Sequence, residues 1–121
     1  MLTQVELEVD PGIEALVPPQ YVDHVLAIAS EAMFNAVRHA RPNRVRVQLK
    51  RTRRRLSLAV WDDGAGFDTS RPNRSDAQGL ANMAARARQL GGQFRVASHP
   101  RAGTEVRVDV PLIALEPRGQ S

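Results

Sequence analysis

Leu56-Ser57-Leu58-Ala59-Val60-Trp61-Asp62-Asp63-Gly64-Ala65-Gly66 sets apolar residues two apart and then runs into a glycine-rich turn. A period of two marks a strand with one buried face. Counting in twos from Leu56, Leu58 and Val60 lands on Asp62, so a carboxylate ends the strand on the side that otherwise faces the core. The same alternation appears at Val5, Leu7 and Val9, at Val45, Val47 and Leu49, at Phe94 and Val96, and at Val106, Val108 and Val110. Glu6, Glu8, Arg44, Arg46, Glu105, Arg107 and Asp109 lie between them, which makes one sheet face wet. A sheet with one polar face needs a single covering layer, so the predicted fold is an α/β two-layer sandwich: a mixed, largely antiparallel sheet with helices on one face.

Two covering helices are predicted. From about Gln20 to Ala40, Val22, Val25, Leu26, Ala29, Met33, Ala36 and Val37 recur at three- and four-residue steps, with Pro18-Pro19 before them and Pro42 after. From about Gly79 to Leu90, Leu80, Met83, Ala84, Ala87 and Leu90 do the same, and Gly91-Gly92 offers a left-handed cap. Asp63 to Gln78 between strand and helix is rich in Gly, Asp, Ser, Asn and Pro, the composition of a mobile segment over a site. Residues 1–115 are read as one domain and 116–121 as a polar tail.

Composition narrows the function. The 121 residues carry 17 Lys+Arg and 13 Asp+Glu, a formal charge of +4. Lys50 is the single lysine, and the dense run Arg51, Arg53, Arg54 and Arg55 falls between two strands, where it reads as a solvated hairpin. No nucleic-acid partner is therefore expected. Without cysteine there is no disulfide framework, zinc-thiolate site or thiol nucleophile. No apolar stretch approaches the roughly 18 residues of a membrane span, and Met1 to Asp10 lacks the layout of a signal peptide. A cytoplasmic location is expected, with membrane contact only through domains outside this chain.

Polar residues on apolar faces point to a pocket. Counting back from Val110, Val108 and Val106 lands on Thr104, which puts a hydroxyl on the same inner face as Asp62. Asp62 could instead cap the Gly64-Ala65-Gly66 turn, with Thr104 bonded to its own backbone. Glu31, Asn35 and His39 follow at four-residue steps, each displaced about 40° and rising about 6 Å along the helix, at the border of the apolar stripe. Gly64 and Gly66 let the backbone approach a ligand, and Gly79 is expected to open the second helix, whose free N–H groups can hold an anion. Together these describe a ligand with a donor-bearing ring, an anionic end and a cation that takes Asn35 as an oxygen ligand.

These residues resemble the ATP-binding domain of the GHKL superfamily, with its Bergerat-type fold, and more closely the catalytic domain of nitrate-sensor/DesK-type sensor histidine kinases. Glu31 to Ala40 resembles the N box, Asp62-Asp63-Gly64-Ala65-Gly66 the D-x-G-x-G box, and Gly79 to Ala87 with Leu90-Gly91-Gly92 and Gly103-Thr104 the remainder of the pattern. The resemblance implies that Asn35 coordinates Mg²⁺ and that Glu31 polarises the attacking nucleophile. It places Arg38 and His39 near the phosphates and has Asp62 accept from the adenine amino group. Thr104 would back the adenine, directly or through water, while Gly64, Gly66, Phe67, Gly79, Leu80 and Met83 complete the ATP-binding set. Arg86 is expected to make a helix-surface ion pair. The sequence differs from the pattern at Ala77, where a glycine is usual, which restrains the backbone and argues against tight lid closure.

The implied function is transfer of the γ-phosphoryl group of Mg-ATP to a histidine on a separate dimerisation domain, and from there to a response regulator. Neither His24, within the N-box helix, nor His99, between two strands, resembles the acceptor, so the chain is not expected to phosphorylate itself. The alternative is a stand-alone serine kinase and protein-binding switch of the anti-sigma-factor type. The phrases Met83 to Ala87 and Leu90 to Gly92 favour the sensor kinase.

Overall fold

The computed structural model describes residues 3–37 and 44–112. The elements in order are β1 (Gln4–Val9), α1 (Ile13–Leu16), α2 (Pro19–Asn35), β2 (Arg44–Arg51), β3 (Arg55–Asp62), α3 (Arg74–Gln89), β4 (Gln93–Ser98) and β5 (Thr104–Pro111). They form one five-stranded sheet in the order β1-β2-β3-β5-β4. The β1–β2 pair is parallel and the other three pairs are antiparallel. The mixed sheet with helices on one face is thus as the alternation predicts. The 116–121 tail and the Pro42 stop lie outside the described residues.

The core is the apolar half of each alternation. Val45, Val47, Leu56, Leu58, Val60, Val106, Val108 and Val110 are each no more than 5% exposed, beneath Val25, Ile28 and Ala29 of α2 and Met83 and Ala87 of α3. Thr52 N–H closes the β2–β3 hairpin on the Arg55 carbonyl at 2.9 Å, so Arg53 and Arg54 form a tight, exposed turn, while Arg51 ends β2 half-buried. Gly91, at φ +70°, ends α3, with its N–H on Arg88 and that of Gly92 on Ala87, the paired bonds of a Schellman cap.

Both chain crossings, from β1 through α1 and α2 to β2 and from β3 through α3 to β4, step the same way along the sheet. Their strands run in opposite directions, and α2 and α3 pack together on one face. The two crossings therefore have opposite hands, and one is the left-handed kind that parallel strand pairs seldom use.

The helix layer differs from expectation in three ways. α3 begins at Arg74, five residues before Gly79, because Asn73 caps it by accepting the Asp76 N–H at 2.7 Å. Gly79 is consequently interior, and the end of the presumed mobile segment is the first turn of a helix. Ala77 is helical too, with its N–H on the Asn73 carbonyl. The buried stripe of α2 is also rotated from the predicted one: Ile28 and Ala32 are inside, whereas Leu26 and Val37 are 53% and 52% exposed. Finally, no described helix covers β1, so its inward-facing Leu7 stays 70% exposed.

Burial predicts contrasting mutational costs. Leu58→Ala, in a central strand, is expected to cost about 2–5 kcal/mol, while Leu7→Ala at the uncovered edge should cost no more than about 0.5 kcal/mol. Urea denaturation of both variants checks this.

Candidate functional site

The strand ends carrying Asp62 and Thr104 meet in register, each on the inner face of the sheet. Beyond Val60 and Val106 the side of the space toward α2 is lined by the small Ala32, by Asn35 and by Ala36 just past the helix end. The result is a cavity of ≈ 270 Å³ lined by these residues and by Asp62, Gly66, Phe67, Asn73, Asp76, Leu80, Met83, Val96, Thr104 and Val106. That is near the lower end of small-molecule clefts, roughly 300–1,000 Å³.

Asp62 is 4% exposed. Its Oδ1 accepts the Gly64 N–H at 2.8 Å, so the carboxylate does cap the glycine turn. Its Oδ2 accepts no hydrogen bond among the described residues. Burial pushes the carboxyl above its ordinary value; the Gly64 N–H holds it back and the charge of Asp63 adds to the rise. Thr104 is bonded to a neighbouring side chain rather than its own backbone: its Oγ1 lies 2.7 Å from Ser98 Oγ.

Asn35 brings a second unmet acceptor. Its Oδ1 is buried without a hydrogen-bond partner among the described residues, while its Nδ2 lies against Gly79. A Cβ at Gly79 would stand 2.9 Å from both Asn35 Nδ2 and Glu31 Oε2. The bare backbone lets α3 close onto the polar flank of α2, and this replaces the expected role of Gly79 at a helix start. Glu31 itself lines the adjoining groove between the two helices, with Asn82, Arg86 and Gln89, rather than the cavity. Arg86 contacts His24 Nδ1 at 3.3 Å and forms no ion pair among the described residues, contrary to expectation.

Gly66 is required by both conformation and space. Its φ is +67°, and a Cβ would stand 2.0 Å from the His99 carbonyl oxygen. The β4–β5 connection thereby presses onto the glycine loop, and Arg101 N–H donates to the Ala65 carbonyl.

Of the residues singled out in the sequence, Asn35, Asp62, Gly66, Phe67, Leu80, Met83 and Thr104 come together on the cavity. Gly64 contributes its N–H to Asp62, and Glu31 and Gly79 form the adjacent helix contact. Arg38 and His39 lie outside the described residues. Sequence reasoning missed Asn73 and Asp76, which their spacing as helix cap and third residue could have revealed. It also missed Ser98, which continues the Phe94–Val96 alternation by one step. Among the described residues no cluster of three His, Cys, Asp or Glu side chains could hold a metal.

Residues 20–114 match the family model described as histidine kinase-, DNA gyrase B-, and HSP90-like ATPase. The chain belongs to this family. The sensor protein VraS of Staphylococcus saprophyticus is 35% identical over 99 residues, covering 82% of this chain and 28% of that protein. VraS of Staphylococcus epidermidis is 35% identical over 107 residues, 88% of this chain and 28% of the relative. The chain thus spans little more than a quarter of these curated relatives. Among solved structures, the blue-light activated histidine kinase of Erythrobacter litoralis EL346 superposes with a TM-score of 0.74 at 23% identity, over 91% of this chain and 35% of the other. The ATP binding domain of PrrB from Mycobacterium tuberculosis gives 0.65 at 22% identity, over 90% and 79%. The fold is therefore that of histidine kinase ATP-binding domains, as the motifs imply. No helix of the described residues is long and apolar enough to cross a membrane.

The Asp62 geometry has a measurable cost. Asp62→Asn keeps an oxygen for Gly64 N–H and removes a buried charge, so at pH 7 the ligand-free variant should melt no lower than the wild type. Because the folded pKa is raised, the wild-type handicap is full above that pKa and fades as pH falls toward the ordinary carboxylate value. Thermal melts from pH 7 to pH 3 should show the two curves converging. A wild type that is the more stable at pH 7 contradicts this.

Proposed function

We propose that this domain binds Mg-ATP and donates its γ-phosphoryl group to the imidazole of a phosphoacceptor histidine on a separate dimerisation domain, from which a response regulator receives it. The observation that carries the reading is Asp62, a buried carboxylate with one oxygen unclaimed in a cavity of mixed polar and apolar lining. Such a group calls for a donor, and the 6-amino group of adenine supplies one. Leu80, Met83 and Val106 offer apolar surface to the ring, and Phe67 closes the glycine-loop side.

Asn35 fits a hard cation, because its buried Oδ1 is a neutral oxygen with no hydrogen-bond partner among the described residues. Bound Mg²⁺ would neutralise charge on the phosphate oxygens during transfer. Glu31 lies one helical turn before Asn35, in the groove that adjoins the cavity at Met83, where it can take the proton from the attacking imidazole. Arg38 and His39, which follow in the sequence, belong with the phosphates in this reading. The bond from the γ-phosphorus to the bridging oxygen breaks, ADP leaves with that electron pair, and a phosphorus–nitrogen bond forms on the acceptor.

His24 is engaged with Arg86 between the helices, and His99 lies in the turn that presses on Gly66. In this proposal the domain acts on a histidine outside it, and the chain alone does not phosphorylate itself. Mixing it with a separately expressed dimerisation domain and labelled ATP should give acid-labile phosphohistidine on the partner. Acid-stable phosphoserine would point instead to the anti-sigma-factor type of switch.

Two substitutions test the site by calorimetry. Asp62→Asn should weaken Mg-ATP binding roughly 10- to 150-fold, the loss of a charge-assisted hydrogen bond. Asn35→Ala should abolish the enhancement of ATP affinity by Mg²⁺; equal enhancement in the variant would remove Asn35 from the metal site.

A further inference from the structure

Ser98 has no part in the motifs above, yet it stands at the junction of the three segments that build the polar end of the cavity. It ends β4 on the inner face, opposite Thr104, and is 3% exposed. Its Oγ is 2.9 Å from the Phe67 N–H, 3.0 Å from the Gly103 carbonyl oxygen and 2.7 Å from Thr104 Oγ1.

Counting protons orients this cluster. A serine hydroxyl has one proton to give and two lone pairs to receive. The Phe67 N–H can only donate and the Gly103 carbonyl can only accept. The Ser98 proton therefore goes to Gly103, one lone pair takes Phe67, and the other is left for the proton of Thr104. The reverse arrangement, with Ser98 donating to Thr104, abandons the carbonyl contact at a buried position, which native structures avoid. With its proton turned toward Ser98, Thr104 offers the cavity only lone pairs. Asp62, its register partner on β3, is likewise acceptor-only when ionised.

We propose that Ser98 is a positioning residue that fixes the hydrogen-bond polarity of Thr104 and thereby makes the site select 6-aminopurine over 6-oxopurine nucleotides. The inference rests on the adenine-nucleotide reading of the cavity. Asp62 alone leaves the selection incomplete, since an oxopurine can satisfy a carboxylate through its N1–H. Its O6 then needs a donor nearby, and a freely rotating threonine hydroxyl would provide one. Ser98 withholds that proton.

The test is calorimetric titration of the chain with Mg-ATP and Mg-ITP, which differ in the 6-amino and 6-oxo groups. Wild type, Ser98→Ala, Thr104→Val and the double variant are compared. The wild type should prefer ATP. Ser98→Ala should narrow the ATP-to-ITP affinity ratio by about fivefold or more, and should leave the ratio unchanged when added to Thr104→Val. If Ser98→Ala weakens both nucleotides equally, Ser98 is merely a structural tie and the proposal is overturned. Should that variant fail to fold, Ser98→Cys, whose sulfur is a weak acceptor and so loosens its hold on the Thr104 proton, is titrated in its place: a ratio equal to wild type overturns the proposal. A wild type that binds neither nucleotide overturns the adenine-site reading itself, a result distinct from ATP binding with an unaltered ratio.

Discussion

The pairing of β3 with β5 that sets Asp62 opposite Thr104 is the constraint on which the rest of the molecule turns. Side chains alternate with period two, so a slip of one residue would send Asp62 to solvent and bring Trp61 inward. The register is held by the apolar run on either side: Leu56 faces Val110, Leu58 faces Val108 and Val60 faces Val106, all buried. Hydrophobic burial along the strands thus fixes the position of a polar pair at their ends. Room is left there because Ala32 and Ala36 stand where larger side chains would fill it, while the bare backbone at Gly79 lets α3 close onto α2 alongside.

Much of this was legible because it depends on periodicity alone. The five strands, the hairpin at the arginine run and the Gly91 cap follow from alternation and turn chemistry. The inward orientation of Asp62 and Thr104 needs nothing more than counting in twos. What was misread depends on tertiary contacts or on polar helix signals. The start of α3 lies in a polar, turn-like stretch, and only the Asn73 cap reveals it. Recurrence at three- and four-residue steps puts Leu26 and Val37 in the hydrophobic stripe of α2, whereas burial depends on where the sheet and α3 lie. Leu26 and Val37 face away from both, on the flank opposite Glu31 and Asn35.

The outer face of the sheet shows why the excess of arginine carries little functional information. Glu6 pairs with both Arg44 and Arg46, which hold its carboxyl below the usual range, and Glu8, Glu105 and Asp109 pair with Lys50, Arg107 and Arg95. All of these cations are about half or more exposed, so solvent screens the pairs and each contributes little to stability. They are the solvated side of a one-sided sheet, and the +4 balance is mostly distributed over it and the β2–β3 turn.

The cavity is where local preferences are violated together. Asp62 is charged and buried, Asn35 Oδ1 is buried without a partner among the described residues, Gly66 holds a left-handed conformation against a carbonyl, and Gly79 interrupts a helix interior at a cost of about 1 kcal/mol relative to alanine. Each is explicable alone, as a cap, a tight contact or a turn. Their convergence on one small volume is not explained by folding, because the neighbouring strands achieve nearly complete apolar burial with the same geometry. A sequence that follows the rules of packing along the length of its strands and departs from them at one end marks that end as the candidate ligand site, and the proposed function answers the departures with a hydrogen-bond donor at Asp62 and a cation at Asn35.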